Sequence, residues 1–350
     1  MNALVLIPGQ VGLRYASVAL ESGAVSSVAF RGRAASLPDL QTALAARSSH
    51  PAIDVVSMRA LYGGQDFTAP AVLDTANENR LLGLLRQAPL AVAQTRALAE
   101  QARSAFPKIP ITLAFETSFF VNLPARETTY ALPCDSGIAA RRWGYHGLFH
   151  EAALDHLAAM AAGGERPARV LSICLDTRPE IAAVYRRTPL LVTSGSTPVE
   201  GLPGEHSCGD IDPAIPLALA SDPTVGPERT NIMLTQESGF FGLLGRPATL
   251  AEVLTSKRAR MNKVRELLLY RMLLAAGSAL AALEGLDAIV FSGRYAQQAA
   301  PVAEYLVPRL EQTLDLDPGT LPWQICPASL TTIVAEAGVT ALLGRRAPEP

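Results

Sequence analysis

Apolar positions along the chain fall into short runs that alternate with longer stretches of helical spacing. Residues 3–7 form a short apolar run that stops at Pro8-Gly9, which reads as a strand ending in a turn. A second β-rich stretch begins near Tyr15, so the chain opens as strand, turn, strand. Residues 53–61 give another apolar-rich run closed by Gly63-Gly64, and residues 111–115 read as a buried strand. Between them, residues 77–106 have a helical composition that Pro89 must interrupt, because proline lacks the amide donor and clashes with the preceding turn.

The second half repeats this alternation. Residues 151–162 have helical spacing and end at Gly163-Gly164, and residues 170–175 and 181–185 read as strands. Residues 190–212 are rich in Gly, Pro and Ser and are expected to form a long loop, a kind of segment that often carries function. Residues 249–286 read as two helices, 287–291 as a strand before the Ser292-Gly293 turn, and 300–314 and 334–343 as further helices ahead of a Pro-rich tail. Strand-rich and helical stretches in this order predict an α/β protein of two domains, each a sheet flanked by helices. A duplicated βββαβαβα pattern is compatible with the order.

Length supports two domains, since 350 residues exceed what one core usually serves. Hydrophobic residues make up 49% and charged residues 18%, with a mean hydropathy of +0.21, which excludes a disordered chain. The net charge is −2 and Lys and Arg form no long run, so no nucleic-acid partner is expected. No stretch of 18 apolar residues free of charge appears, so no membrane span is expected. The N-terminal run lacks a basic flank and is too short for a signal peptide. Cys134, Cys174, Cys208 and Cys326 form no CxxC pair and read as reduced, buried thiols of a cytoplasmic protein rather than a zinc or redox site.

Several segments, in order along nearly the whole chain, resemble the acetate kinase family. Residues 4–14 stand where that family carries a strand and an Asn-Ser-Gly-Ser-Ser-Ser phosphate turn. Met58-Arg59-Ala60-Leu61-Tyr62-Gly63-Gly64 resembles its His-Arg-Val-Val-His-Gly-Gly, and Ala88-Pro89-Leu90 its Ala-Pro-Leu-His-Asn. Phe115-Glu116-Thr117-Ser118-Phe119 resembles Phe-Asp-Thr-Ala-Phe, and Arg141-Arg142-Trp143-Gly144-Tyr145-His146-Gly147 resembles Arg-Arg-Tyr-Gly-Phe-His-Gly. Thr197-Pro198-Val199-Glu200-Gly201-Leu202 and Gly209-Asp210-Ile211-Asp212-Pro213 match its central loop, and residues 287–293 the strand before its adenosine loop.

The resemblance implies an actin-like, sugar-kinase-like fold with an interdomain cleft. Residues 1–118, completed by a C-terminal helix within 331–350, would form the first domain and residues 119–330 the second. It also implies a homodimer through the second domain. The implied chemistry is phosphoryl transfer from ATP to a carboxylate, which needs a phosphate cradle, magnesium carboxylates and cationic stabilisation of the transferring group. The implied catalytic residues are Arg59, His146 and Glu116. The implied carboxylate pocket is Arg59, Leu61, Leu90, Tyr145, His146 and Pro198, all intact or conservatively changed.

The nucleotide side is altered. The phosphate turn reads Ile7-Pro8-Gly9-Gln10-Val11-Gly12, in which Ile7 has no polar atom and Pro8 no amide donor. Arg14 stands at the place of a lysine, and Ser207 at that of a catalytic arginine. Residues 327–331, at the place of a magnesium carboxylate, contain no acid. Gly9, Gly12, Arg178, Gly293 and Arg294 are what remains for a cofactor, no metal ligand is assigned, and ATP with Mg²⁺ is expected only if the family activity survives. His150, Asp210, Asp212, Cys174 and Cys208 read as structural. The expectation is therefore a protein that binds a small carboxylate or acyl phosphate with weak or absent phosphoryl transfer. The alternatives are an active carboxylate kinase with a rebuilt nucleotide site, using Arg14, Arg178 and Arg294, and a purely structural partner.

Overall fold

The computed structural model describes residues 1–9, 12–46, 51–133, 140–161 and 164–344. It divides into two compact units, Met1–Val121 with Ser329–Pro350, and Asn122–Ala328. Each carries a sheet of its own.

The first unit holds six strands: β1 (Asn2–Pro8), β2 (Leu13–Glu21), β3 (Ala24–Ala34), β4 (Val55–Ala60), β5 (Ala71–Val72) and β6 (Ile111–Phe115). They order as β3-β2-β1-β4-β6-β5. β1 pairs antiparallel with β2, and parallel with β4, which is parallel to β6. The strands at the centre of this sheet are almost wholly buried, as interior parallel strands must be when helices cover them. Helix Leu330–Leu342, capped by the Ser329 hydroxyl, packs on β1, β4 and β6 and so returns the chain to the first unit.

The second unit holds β7 (Arg169–Cys174), β8 (Glu180–Tyr185), β9 (Thr188–Val192), β10 (Ala288–Ser292) and β11 (Trp323–Ile325), ordered β11-β10-β7-β8-β9. β7 pairs antiparallel with β8 and parallel with β10, and β10 is parallel to β11. The two sheets thus share one plan: an antiparallel meander of three strands followed by two parallel additions, with β5 an extra edge strand on the first. The duplication is visible in strand order although no repeat is legible in the residues. β9 corrects the expectation of a loop from residue 190. Thr188–Val192 pairs with β8 instead, and the loop proper begins at Thr193.

The interruption expected at Pro89 falls just before it. Helix Thr75–Gly83 gives way to a 3₁₀ turn at Leu84–Arg86, and a new helix, Pro89–Ala105, starts on the proline, whose missing amide is harmless in a first turn. Helix Ala259–Leu283 is long and apolar enough to cross a membrane by length and composition. Eight of its residues, Leu268, Met272 and Ala276 among them, are buried in one core with Leu171, Ile173, Ile289 and Phe291 of the sheet. Cys174 and Cys326 are buried; Cys208 is only half-buried, which departs from expectation, and Cys134 lies outside the described residues.

Candidate functional site

In the first unit, Arg59 is the penultimate residue of β4 and Glu116 directly follows β6, its parallel neighbour. Carboxyl ends of parallel strands are where α/β sheets place their ligands. The two side chains form an ion pair, Arg59 Nε to Glu116 Oε1 at 2.5 Å. Glu116 is fully buried, whereas the Arg59 side chain keeps 17% of its exposure. The Glu116 amide donates to the Ala60 carbonyl, and the Gly63 amide to Thr117 Oγ1, so both strand ends are fixed. Leu61 is half-buried beside them, and Leu90 is 77% exposed.

The implied phosphate turn is the β1–β2 hairpin, in which Pro8 pairs with Leu13. The Gly9 amide donates to the Gly12 carbonyl, at 3.0 Å, so the glycine that survives from the family pattern spends its donor inside the turn. Gly12 has φ +71°, and a Cβ there would meet the Ala34 carbonyl oxygen at 2.5 Å; the turn requires glycine for conformation rather than for a ligand. Gln10 and Val11 lie outside the described residues. Leu330 and Thr331, at the place of the acids implied for magnesium, open a helix whose N-cap, Ser329, accepts from the Thr332 amide.

In the second unit, the segment Arg142 to His146 is sewn to the loop after β9. The Arg142 guanidinium meets Glu200 at 2.6 Å and Tyr130 donates to the same carboxylate at 2.5 Å. Burial and that hydrogen bond push the Tyr130 hydroxyl well above its ordinary range. Tyr145 is buried and donates through its hydroxyl to the Ser196 carbonyl at 2.5 Å, so it borders the loop that carries Pro198.

His146 precedes helix Gly147–Met160. Its Nδ1 is buried and has no hydrogen-bond partner among the described residues. Beneath it lies Glu180, the first residue of β8, fully buried. Glu180 accepts from the Tyr145 amide at 2.9 Å and the His146 amide at 3.0 Å, and from His150 Nε2 at 3.2 Å. His150 Nδ1 in turn meets Ser172 Oγ at 2.7 Å. This Ser172–His150–Glu180 row has the order of a hydrolytic triad, but all three residues are inaccessible and it works as an internal brace.

Burial raises the Glu180 carboxyl, but the His150 hydrogen bond, the charges of His146 and His150 and a bond from Ser194 outweigh it and hold the group down to about 2. Its ordinary value is about 4.3. The ionised carboxylate therefore stabilises the fold fully above about pH 5, and that contribution, about 3 kcal/mol, is lost as pH falls towards about 2. Urea unfolding between pH 5 and 3 is expected to show stability falling more steeply in the natural protein than in Glu180→Gln; parallel falls would contradict this.

The loops at the carboxyl ends of β7 and β10 stand where the resemblance places nucleotide phosphates and adenosine. Arg294 is exposed and lies 3.5 Å from Asp176, and Asp176 accepts from the Thr177 amide. Tyr295 is half-buried, with its hydroxyl pushed up to about 12 by burial and by a hydrogen bond to Glu205. Glu205 also takes the Leu250 amide. A Cβ on Gly293 would meet the Leu175 carbonyl oxygen at 2.6 Å. Arg178 is half-buried, and Ser207 is buried with an unpartnered hydroxyl among the described residues. Of the charged side chains in these two loops, Asp176, Arg178 and Arg294, the last is engaged by Asp176, which competes with a phosphate for it.

Magnesium fares no better. Glu116 is spent on Arg59, and the described residues contain no group of three or more His, Cys, Asp or Glu placed to hold a metal. The donors present do not fit a magnesium nucleotide. A separate cavity of about 400 Å³ lies between Lys257, Arg265, Leu269, Tyr305 and Arg309. Its Arg265 is committed to the Val253, Leu254 and Ser256 carbonyls.

Sequence alone singles out Arg59, Glu116, Tyr145 and His146, and leaves Glu180, Asp176 and Glu205 unmarked. Glu180 does carry a signal: one acid heads an otherwise wholly apolar strand, Glu-Ile-Ala-Ala-Val-Tyr, which forces it into the interior.

A sequence model of the Acetokinase family matches residues 14–335. An acetate kinase of Dictyoglomus thermophilum is 29% identical over 278 residues, 77% of this chain and 69% of its own length. One of Rhodopseudomonas palustris is 29% identical over 253 residues, 71% of this chain and 63% of its own length. The solved structure of Porphyromonas gingivalis acetate kinase shares a TM-score of 0.79 at 20% identity, covering 97% of this chain and 99% of that one. A propionate kinase of Francisella tularensis shares 0.80 at 19% identity, covering 96% and 98%. At that identity the structures speak for the fold, and it is the actin-like, sugar-kinase-like α/β class.

Proposed function

Since the chain belongs to the acetokinase family, we propose that it binds a small carboxylate, or the acyl phosphate derived from one, and transfers phosphoryl groups from ATP weakly or not at all. The observation that carries this reading is the Glu116–Arg59 pair. The carboxylate at the family's catalytic position is buried and neutralised inside the first unit, so it is withdrawn from metal binding. Arg59 gives only Nε to that pair. A guanidinium has five N–H donors, so its terminal nitrogens keep the fork that suits a carboxylate. In the second unit, His146 has a buried Nδ1 without a hydrogen-bond partner among the described residues, a valence that a ligand oxygen would satisfy. Donors of this kind bind an acid without activating it, because the Gly9 amide is spent within the implied phosphate turn and Glu116 is spent on Arg59.

The test is an ATP-coupled assay with magnesium and acetate or propionate, run beside a relative such as the Dictyoglomus thermophilum acetate kinase. Loss of one transition-state contact costs about 10²–10³ in rate, and contacts that act as a unit do not multiply. A rate about a thousandfold or more below the relative is expected. A rate within about tenfold of it would favour the alternative, an active carboxylate kinase that has rebuilt its phosphate contacts around Arg14, Arg178 and Arg294.

A further inference from the structure

We propose that the cavity between helices Leu250–Thr255, Ala259–Leu283 and Ala300–Thr313 of the second unit binds a small phosphate monoester that also carries hydroxyl groups, the chemistry of a sugar phosphate. None of the residues implied for the acid pocket lines it, so the inference does not depend on that reading. The cavity holds about 400 Å³, within the range of small-ligand sites. Lys257, Arg265 and Arg309 line it against a single acid, Glu304, so its field is positive. The segment 257–263 carries four cations and no acid, which extends that field outward.

The lining groups divide by what each is free to do. Arg265 is structural: it donates to the Val253, Leu254 and Ser256 carbonyls at 3.4, 3.3 and 2.7 Å. It thereby covers the negative end of helix Leu250–Thr255, which would otherwise repel an anion. Arg309 is held but not consumed. Its Nη1 donates to the Tyr305 carbonyl at 2.6 Å, and its Cζ lies 3.9 Å from the centre of the Tyr305 ring, a stack that fixes the guanidinium plane. Its other nitrogens have no hydrogen-bond partner among the described residues, and Lys257 makes neither a hydrogen bond nor an ion pair among them. Ser256 Oγ accepts from the Arg258 amide at 3.3 Å, which leaves its O–H to donate. A fixed guanidinium, an ammonium and a hydroxyl suit the oxygens of one phosphate. Glu304 is the selective element. It is exposed and forms no ion pair with these cations among the described residues. A carboxylate only accepts hydrogen bonds, so it disfavours a bare anion and favours a ligand with hydroxyls to donate. Leu254, Leu269 and Pro301 give the carbon frame an apolar wall.

The experiment is titration calorimetry at low ionic strength, with ribose 5-phosphate, inorganic phosphate and ribose as separate probes. It compares the natural protein with Arg309→Gln, Lys257→Gln and Glu304→Gln, each shown folded by circular dichroism. Ribose 5-phosphate is expected to bind with a Kd of about 1 mM, inorganic phosphate about fivefold or more weakly, and ribose without saturable heat. Arg309→Gln and Lys257→Gln should each weaken the sugar phosphate about tenfold, since each removes a charged donor. Glu304→Gln should abolish most of the preference over inorganic phosphate while leaving phosphate itself bound as well or better. All three side chains are exposed, so the variants are expected to fold; should one cation variant not fold, the other decides. No saturable heat from ribose 5-phosphate up to about 20 mM overturns the proposal. So does natural affinity in the cation variants, which would put the ligand elsewhere. Equal affinity for ribose 5-phosphate and inorganic phosphate in the natural protein would mean an adventitious ion only, and a preference that survives in Glu304→Gln would end the assignment of a hydroxyl-bearing ligand.

Discussion

Replacing Arg59 by methionine is expected to destabilise the protein by about 3–5 kcal/mol and to abolish acetate binding. Removing one partner of a buried pair leaves an uncompensated charge, which is the costly half of the asymmetry. Here the stranded partner would be Glu116, fully buried, while methionine fills the aliphatic volume of the arginine stem. The reverse substitution, Glu116→Gln, is expected to cost much less, because the Arg59 side chain retains some exposure and can turn its charge to water. It should also leave acetate binding intact or tighten it, since a negative charge beside the proposed ligand is removed. The double variant Arg59→Met with Glu116→Gln should recover most of the lost stability and none of the affinity. Denaturant unfolding and calorimetry of the four proteins close this cycle. Equal stability losses in the two single variants would show that the pair is not buried as described.

Both residues of that cycle are legible in the amino-acid sequence. Arg59 stands before a Gly-Gly turn at the end of an apolar run, and Glu116 follows another, so strand periodicity alone puts both at strand ends. Their partnership is not legible, because a parallel register between strands some fifty residues apart is set by the crossover and not by either segment. The meander from Leu13 to Ala34 is only half visible. β3 carries Ser26, Ser27, Arg31 and Arg33 at an exposed sheet edge and lacks the apolar continuity of β6. Helix Leu37–Ala45 is absent from the sequence reading although Ser36-Leu37-Pro38-Asp39 is a capping signature, with the Ser36 hydroxyl meeting Asp39. The alternation of β7, β8 and β10 is plain because buried strands leave unbroken apolar runs. Glu180 shows the limit: its burial follows from its strand, but its partners His146 and His150 come from a helix and its cap some thirty residues earlier.

The contrast between the two halves of the implied reaction gives the larger effect still. A ligand of four non-hydrogen atoms gains at most about −1.5 kcal/mol per atom, so acetate can reach about −6 kcal/mol, a Kd near 40 μM, and is expected to bind in the range of about 0.1–10 mM. ADP has many more atoms to offer, and in a working kinase its phosphates meet backbone amides and a metal. Here the Gly9 amide is spent within its turn, Asp176 and Glu116 are each held by an arginine, and residues 327–331, where a metal carboxylate is implied, contain no acid. The usual order of affinity should therefore be reversed, with the smaller ligand the tighter one.

Side-by-side titration calorimetry of acetate, ADP and ADP with excess Mg²⁺ measures this most directly. Saturable heat from acetate, lost in Arg59→Met, with no binding of either nucleotide form up to about 5 mM, is the predicted result. Magnesium-dependent binding of ADP at micromolar concentration would contradict it.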